Sequence, residues 1–285
     1  MRENDLKDDA ATTATRRPLA ANLFSVRREL IADFEGTHAR LAEMGYIGVE
    51  PMVFGPIPLE FLPEDMRVPT PPPDAYRAML DKLGLRVASL HAPLPEGDNA
   101  SYALDFAEAL GTDQLVLASF MALPYAANAH ADADILAKTI DRFGVAAEIA
   151  AERGIALGFH NHHFEWEVDL NGSFAWDLFW SKVDARVNAE VDVYWASVAK
   201  QNPTAVLKAL GPRATRVHLK DGPCVLGEPQ VALGNGAVDI PACVRAAQYA
   251  EWHIVELDEC ATNIFEALEQ SATYLIDQGL STGRS

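Results

Sequence analysis

One arrangement recurs along this chain and limits what it can fold into: an amphipathic helical pattern, a glycine, then a short apolar run ending in a charged or imidazole side chain. The glycines are Gly45, Gly84, Gly111, Gly154 and Gly211. Before Gly45, apolar residues and His38 fall at three- and four-residue spacing from Leu30 to Met44, and YIGVE follows as a strand ending at Glu50. Residues 74–83 repeat the pattern ahead of LRVASLH, which ends in His91. Residues 101–110 lead to DQLVLAS, and residues 134–153 lead to GIALGFHNHHFEWE. Further strands are read at RVNAEVDVYW, bearing Asp192, at TRVHLKD, bearing His218, Lys220 and Asp221, and at WHIVELDE, bearing Glu256 and Asp258. The first strand is read at Leu23–Val26, a helix over residues 174–183, one from Pro241 to about Tyr249 behind Asp239, and a last one over residues 262–278. Eight strand–helix units in about 260 residues predict an α/β fold, a single (β/α)8 TIM barrel. A doubly wound open sheet is the alternative. It is disfavoured because no GxGxxG or phosphate loop follows the first strand and polar residues mark strand ends all round.

Residues 1–20, polar and rich in Ala and Thr, read as a disordered lead-in without the apolar segment of a secretory signal, and residues 21–282 as the catalytic barrel. With 285 residues, 49% of them hydrophobic, the chain can bury a large core. A net charge of -18 repels phosphate backbones and anionic bilayers, so nucleic acid and membrane are excluded as expected partners. No apolar run is long enough to span a bilayer. Cys224, Cys243 and Cys260 form no metal or disulfide spacing, so a reducing, cytoplasmic compartment is expected. A homo-oligomer is left open. Two long connections, residues 52–73 and 120–131, follow strands and are expected to wall a pocket.

In a closed barrel the strand ends converge on one mouth. Taken in order they bring Glu50, His91, His160 with His162, Asp192, His218 with Lys220, and Glu256 with Asp258 to a common point. Mixed imidazole and carboxylate donors suit a divalent ion, Mn²⁺ foremost and Co²⁺, Mg²⁺ or Zn²⁺ behind it. Alternation along a strand turns His160 and His162 one way and Asn161 the other, and keeps Glu256 and Asp258 together. Lys220 is read as a mouth residue that binds substrate oxygen or pairs with a carboxylate. His91 and His162 are candidates for substrate contact or proton movement, and Glu50 for orienting a ligand. Trp195, Trp166 and Phe164 are candidates for stacking on a sugar.

GIALGFHNHHFEWE, VDVYWAS, RVHLKDG, LGNGAVDIP and IVELDE, in this order, resemble the sugar phosphate isomerase/epimerase family with the xylose isomerase-like barrel, from about Leu23 to Leu280. The resemblance implies a divalent metal held by one ligand from each of the last four strands, matching Asp192, His218 and Glu256. Where the family has a glutamate on the fifth strand, this chain has His160. Either His160 ligates, or Glu165 reaches in from the loop, or the site is three-sided and partly open. The implied reaction is proton abstraction next to a carbonyl of a small sugar or keto-sugar through an enediolate, with Glu256 as base and His160, His162 and Lys220 assisting. Glu50, His91, Trp195 and Asp258 are then expected around the substrate. Reprotonation gives an isomerase or epimerase; loss of a β-substituent from a keto-sugar or 3-keto-glycoside gives a lyase or dehydratase. An endonuclease of the same barrel class is disfavoured by the acidic balance, and a non-catalytic sugar-binding barrel by the retained Asp192, His218 and Glu256. With no run of Arg and Lys to clamp a phosphate, an unphosphorylated substrate is expected.

Overall fold

A computed structural model describes residues 16–284 apart from 98 and 124. Eight parallel strands form a nearly closed barrel: β1 Arg17–Asn22, β2 Gly48–Glu50, β3 in two pieces at Arg86–Val87 and Leu90–His91, β4 Gln114–Leu117, β5 Ala156–His160, β6 Asn188–Asp192, β7 Ala214–Leu219 and β8 Trp252–Val255. Strand β1 pairs with both β2 and β8, which joins the two ends of the ring. The ladder is interrupted inside β3 at Ala88 and Ser89; its first piece pairs with β2 and its second with β4. Backbone bonds from His91 N to Pro51 O (2.9 Å) and from Val53 N to His91 O (2.8 Å) keep the two sides in register there. The expected (β/α)8 barrel is the fold the chain adopts. A short extra strand, β9 Ser281–Thr282, pairs with the start of β1.

The helices surround the barrel: α1 Arg27–Ala32, α2 Phe34–Glu43, α3 Pro73–Leu83, α4 Asn99–Leu110, α5 Ala133–Ala151, α6 Ala175–Lys182, α7 Val193–Val198, α8 Pro203–Leu210, α9 Ile240–Ala246 and α10 Ile264–Asp277. All five glycines of the sequence pattern have positive φ, between 53° and 101°. Gly84 shows why a glycine is needed: it ends α3 in the left-handed region at φ 65°, where a side chain would be strained.

Several boundaries differ from the sequence reading. Leu23–Val26 is a 3-10 turn, not the first strand; Asn22 caps it by accepting from Phe24 N, and the strand lies earlier, in RPLAAN. Residues 17–20 of the expected lead-in therefore belong to β1, and residues 1–15 lie outside the described residues. The helix read across residues 30–44 breaks at Asp33, whose extended backbone (φ -153°) lets its carboxylate cap α2 at Gly36 N. The strand read through Trp195 stops at Asp192, which turns the chain into α7 by accepting from Trp195 N at 2.8 Å. Helix α9 ends at Ala246 rather than near Tyr249.

Packing outside the barrel decides what points inside it. Phe159 of β5 is buried against Phe120 (centroids 4.3 Å apart), Phe143 of α5 (5.8 Å) and Phe179 of α6 (4.9 Å). With Phe159 anchored outward, the pleat turns Gly158 and His160 into the lumen. A Cβ on Gly158 would come within 2.8 Å of Gln114 Nε2, so the lumen beneath His160 is already filled.

Candidate active site at the carboxyl end of the barrel

The strand ends bring together side chains far apart in sequence. Glu50 of β2 lies 2.7 Å from His218 Nε2, 168 residues away, and Glu256 Oε2 lies 2.6 Å from His218 Nδ1. Beside them Lys220 Nζ stands within 2.9 Å of Asp192, 2.6 Å of Glu256 and 2.8 Å of Asp258. His91 Nε2 reaches Glu190 at 2.7 Å, and His160 Nδ1 lies 3.3 Å from the same oxygen. Asn161, facing the other way, locks β5 to β6: it donates to Asp192 O (3.1 Å) and accepts from Asp192 N (2.9 Å).

Glu190 escapes a reading that takes only the last polar residue of each strand. It sits two residues before Asp192, on the same face and one rung deeper, so alternation alone could have found it. Ser89 stands likewise two residues before His91 and donates to Glu50. Asn22, at the end of β1, donates to Glu50 at 2.6 Å. Gln230 is a further unforeseen participant: its Nε2 donates to Asp258 Oδ2 (2.9 Å) and its Oε1 accepts from Asp258 N (2.6 Å). The loop that carries Gln230 is tied down by Asp221, whose carboxylate accepts from the backbone of Gly222, Gly234, Gly236 and Val238.

Burial and neighbouring charge set the protonation states. Burial alone would depress His218, but the carboxylates of Glu190, Glu50 and Glu256 raise it well above the usual imidazole range. His91 is raised in the same way, against burial, by Glu50 and Glu190. His160 goes the other way: burial and the charge on His218 push it down to about 3, leaving a neutral imidazole. His162 is also held well below its ordinary value by burial, His160 and Lys220. Glu256 remains ionised because Lys220 and His218 outweigh its burial. Asp192 is raised to about 6, burial outweighing Lys220. Lys220 stays charged among Asp192, Asp258 and Glu256 despite full burial.

These donors fit a divalent ion. One ligand atom from each of His160, Asp192, His218 and Glu256 lies within 4.8 Å of the others, two nitrogens and two oxygens, all buried. His91, His160, Glu190 and His218 form a second, overlapping group. Glu165, the alternative fifth-strand ligand, belongs to neither: its Oε2 accepts from His162 N at 2.9 Å, and burial raises it to about 8. Because the surrounding carboxylates favour the imidazolium form of His218, loading an ion there would release a proton.

Above the cluster opens a cavity of about 530 Å³. Of the expected substrate-contact residues, His91 and Asp258 line it, together with His160, His162 and Glu256. Glu50 does not; it is sealed beneath, between Asn22, Ser89 and His218. Trp195 stands aside, with Lys220 Nζ 5.6 Å from its ring centre. Trp166 packs on Trp176 (4.6 Å), and Phe164 stacks on His162 (5.1 Å). The two long connections wall the cavity as expected, through residues 52–66 and 119–122. Among the described residues no helix is long and apolar enough to cross a membrane.

Comparison with known proteins places the fold among xylose isomerase-like barrels. The model of the xylose isomerase-like TIM barrel family matches residues 39–278. A search of curated proteins gave no match. Among solved structures, a sugar phosphate isomerase/epimerase from Parabacteroides distasonis is similar over 97% of this chain and 99% of its own, at 24% identity and a TM-score of 0.73. A D-psicose 3-epimerase studied in the presence of D-fructose matches over 93% and 99% at 14% identity, TM-score 0.66. A xylose isomerase-like barrel protein from Mycobacterium smegmatis, in complex with magnesium, matches over 94% and 98% at 14% identity, TM-score 0.65.

Proposed function

The chain belongs to the xylose isomerase-like TIM barrel family, and from that premise we propose that it is a divalent-metal-dependent sugar isomerase or epimerase that removes a proton next to a carbonyl. The observation that carries the reading is the floor of the cavity: an ionised, buried Glu256 beside neutral His160, within a two-nitrogen, two-oxygen donor set. His160, Asp192, His218 and Glu256 would hold a divalent ion, which would supply Lewis acidity beside a carbonyl.

The side chains provide the rest. Glu256 is the base: it lines the cavity, and Lys220 and His218 hold it unprotonated at neutral pH. His162, neutral, lines the cavity, and its buried Nδ1 has no hydrogen-bond partner among the described residues. Asp258, fixed by Gln230 and Lys220, is positioned to accept from a hydroxyl, and His91 to donate to one. Return of the proton to either face of the carbon, or to the neighbouring carbon, gives epimerisation or isomerisation.

A β-elimination shares every step up to the enolate and differs only in what leaves. The apolar upper half of the cavity has room for a leaving group, which makes a keto-sugar lyase the second reading. The test is turnover of a ketose panel in D₂O with Mn²⁺ supplied. Deuterium at the carbon beside the carbonyl, abolished by chelation, is the expected result. Release of an alcohol or water would select the lyase; turnover without exchange, or undiminished after thorough metal removal, would overturn the proposal.

A further inference from the structure

The cavity is polar at its floor and apolar nearly everywhere else. Its walls present Met52, Phe54, Ile57, Leu62, Met66 and Met121, and among the described residues Ser119 is the one hydroxyl on the walls. A sugar carries a hydroxyl on almost every carbon, and each one that leaves water needs a new partner. The floor can satisfy the few nearest it; the walls can satisfy almost none. Size points the same way: the ~530 Å³ falls within the roughly 300–1,000 Å³ of pockets that take drug-sized ligands, more than a free hexose of about a dozen non-hydrogen atoms needs.

We propose that the substrate class is a keto-sugar bearing an apolar substituent, an aryl or hydrophobic alkyl glycoside with a ketone on its ring, with that ring on His91, His160, His162, Glu256 and Asp258 and its apolar group between the 52–66 and 119–122 walls. This rests on the reading of the floor as a sugar-acting centre. Three of the six methionines of the chain, Met52, Met66 and Met121, line the space. Their unbranched, polarisable side chains fit themselves to different apolar shapes, so the site tolerates a range of substituents. Exposed Phe61 and Ile57, in the connection after β2, extend the apolar surface toward solvent.

Calorimetric titration of the full chain with phenyl β-D-glucopyranoside, methyl β-D-glucopyranoside and phenol tests this. Burying an aryl ring predicts phenyl glucoside binding about 10- to 100-fold tighter than methyl glucoside, and phenol far weaker than phenyl glucoside. The double variant Leu62→Asn, Met66→Asn and, on the other wall, Met121→Asn are each expected to cut the phenyl preference to about threefold or less. Methyl glucoside affinity is expected to stay unchanged, and melting curves to show the fold intact. These positions are partly or largely exposed, so the substitutions do not gut the core. Equal binding of the two glucosides, binding of neither, a preference that survives on both altered walls, or phenol binding as tightly as phenyl glucoside would each overturn the proposal. Proton exchange in D₂O is read separately, so loss of the aryl preference leaves the proton-transfer reading standing, and absence of exchange leaves the aryl preference standing.

Discussion

The two ends of this barrel handle buried polarity in opposite ways. At the amino end of the strands, buried polar side chains are mostly consumed by the scaffold: Arg216 Nε donates to Ala88 O (3.0 Å) while its Nη1 meets the exposed Glu251 (3.2 Å), Gln114 Nε2 donates to Leu115 O (2.9 Å) and Asn188 Nδ2 to Gln114 Oε1 (3.1 Å). At the carboxyl end the partners are other ions. Glu50, Glu190, Asp192, Glu256 and Asp258 are set against Lys220, His218 and His91, and the cavity opens above them. One strand, β7, shows both: Arg216 spans the interruption of β3, and two residues on His218 enters the acid–base cluster. The same inward face serves closure at one rung and chemistry at the next, the division expected of barrels of this kind.

The sharpest way to break this division is to find that both ends affect the same property. Glu256→Gln is expected to lower kcat/KM about 10³- to 10⁴-fold, as loss of a positioned base does, with the melting temperature little changed. Steady-state kinetics beside a melting curve checks it, and a large loss of stability with the turnover of the folded fraction unchanged would erase the distinction. Arg216→Met, at the other end, is expected to cost about 1–3 kcal/mol of stability by leaving Ala88 O without its donor, while the folded fraction keeps its turnover.

The pH dependence of stability sharpens the contrast away from the mouth. His38, bonded to Phe34 O and Tyr76, and His253, bonded to Ser281, are both lowered to about 4 by burial. Between about pH 6.5 and pH 4 the unfolded chain binds protons that the folded chain refuses. Stability therefore falls as pH drops through that window, by about 2–3 kcal/mol for each histidine. Denaturant midpoints measured for wild type and for His253→Gln are expected to show a shallower slope in the variant; identical slopes would remove His253 from the account. The smallest effect concerns Lys220. Its ammonium contacts Asp192 and Glu256, two of the four proposed ion ligands, so it would compete with a divalent cation for their charge. Lys220→Met is expected to bind Mn²⁺ about tenfold more tightly by calorimetry, and weaker binding would mean that Lys220 instead organises the ligands.

Much of the scaffold was legible because its signals are local. Helix periodicity, a left-handed glycine and an apolar strand need no distant partner, and they gave the barrel and the order of its elements. The first strand was misplaced for the same reason: RPLAAN, with an arginine, a proline and an asparagine among small residues, carries little hydrophobic signal, yet Leu19, Ala20 and Ala21 are fully buried. At the site, strand-end residues could be named, but not which of them meet. That Glu50 would lie under His218 rather than line the cavity depends on the barrel's stagger, which no window of sequence encodes. Glu190 and Arg216 were hidden one rung below the residues that drew attention. Lys220 was read as either a substrate contact or a salt-bridge partner, and it proves to be paired with three carboxylates at once.

The mouth of the barrel is proposed as an ion-binding acid–base centre with histidine on the fifth strand. Elemental analysis of the purified chain beside His160→Ala and Glu256→Gln, each after loading with Mn²⁺ and desalting, tests it most directly. About one ion per chain in the wild type, lost in both variants, is the predicted result. A wild type that carries none and cannot be loaded would contradict it.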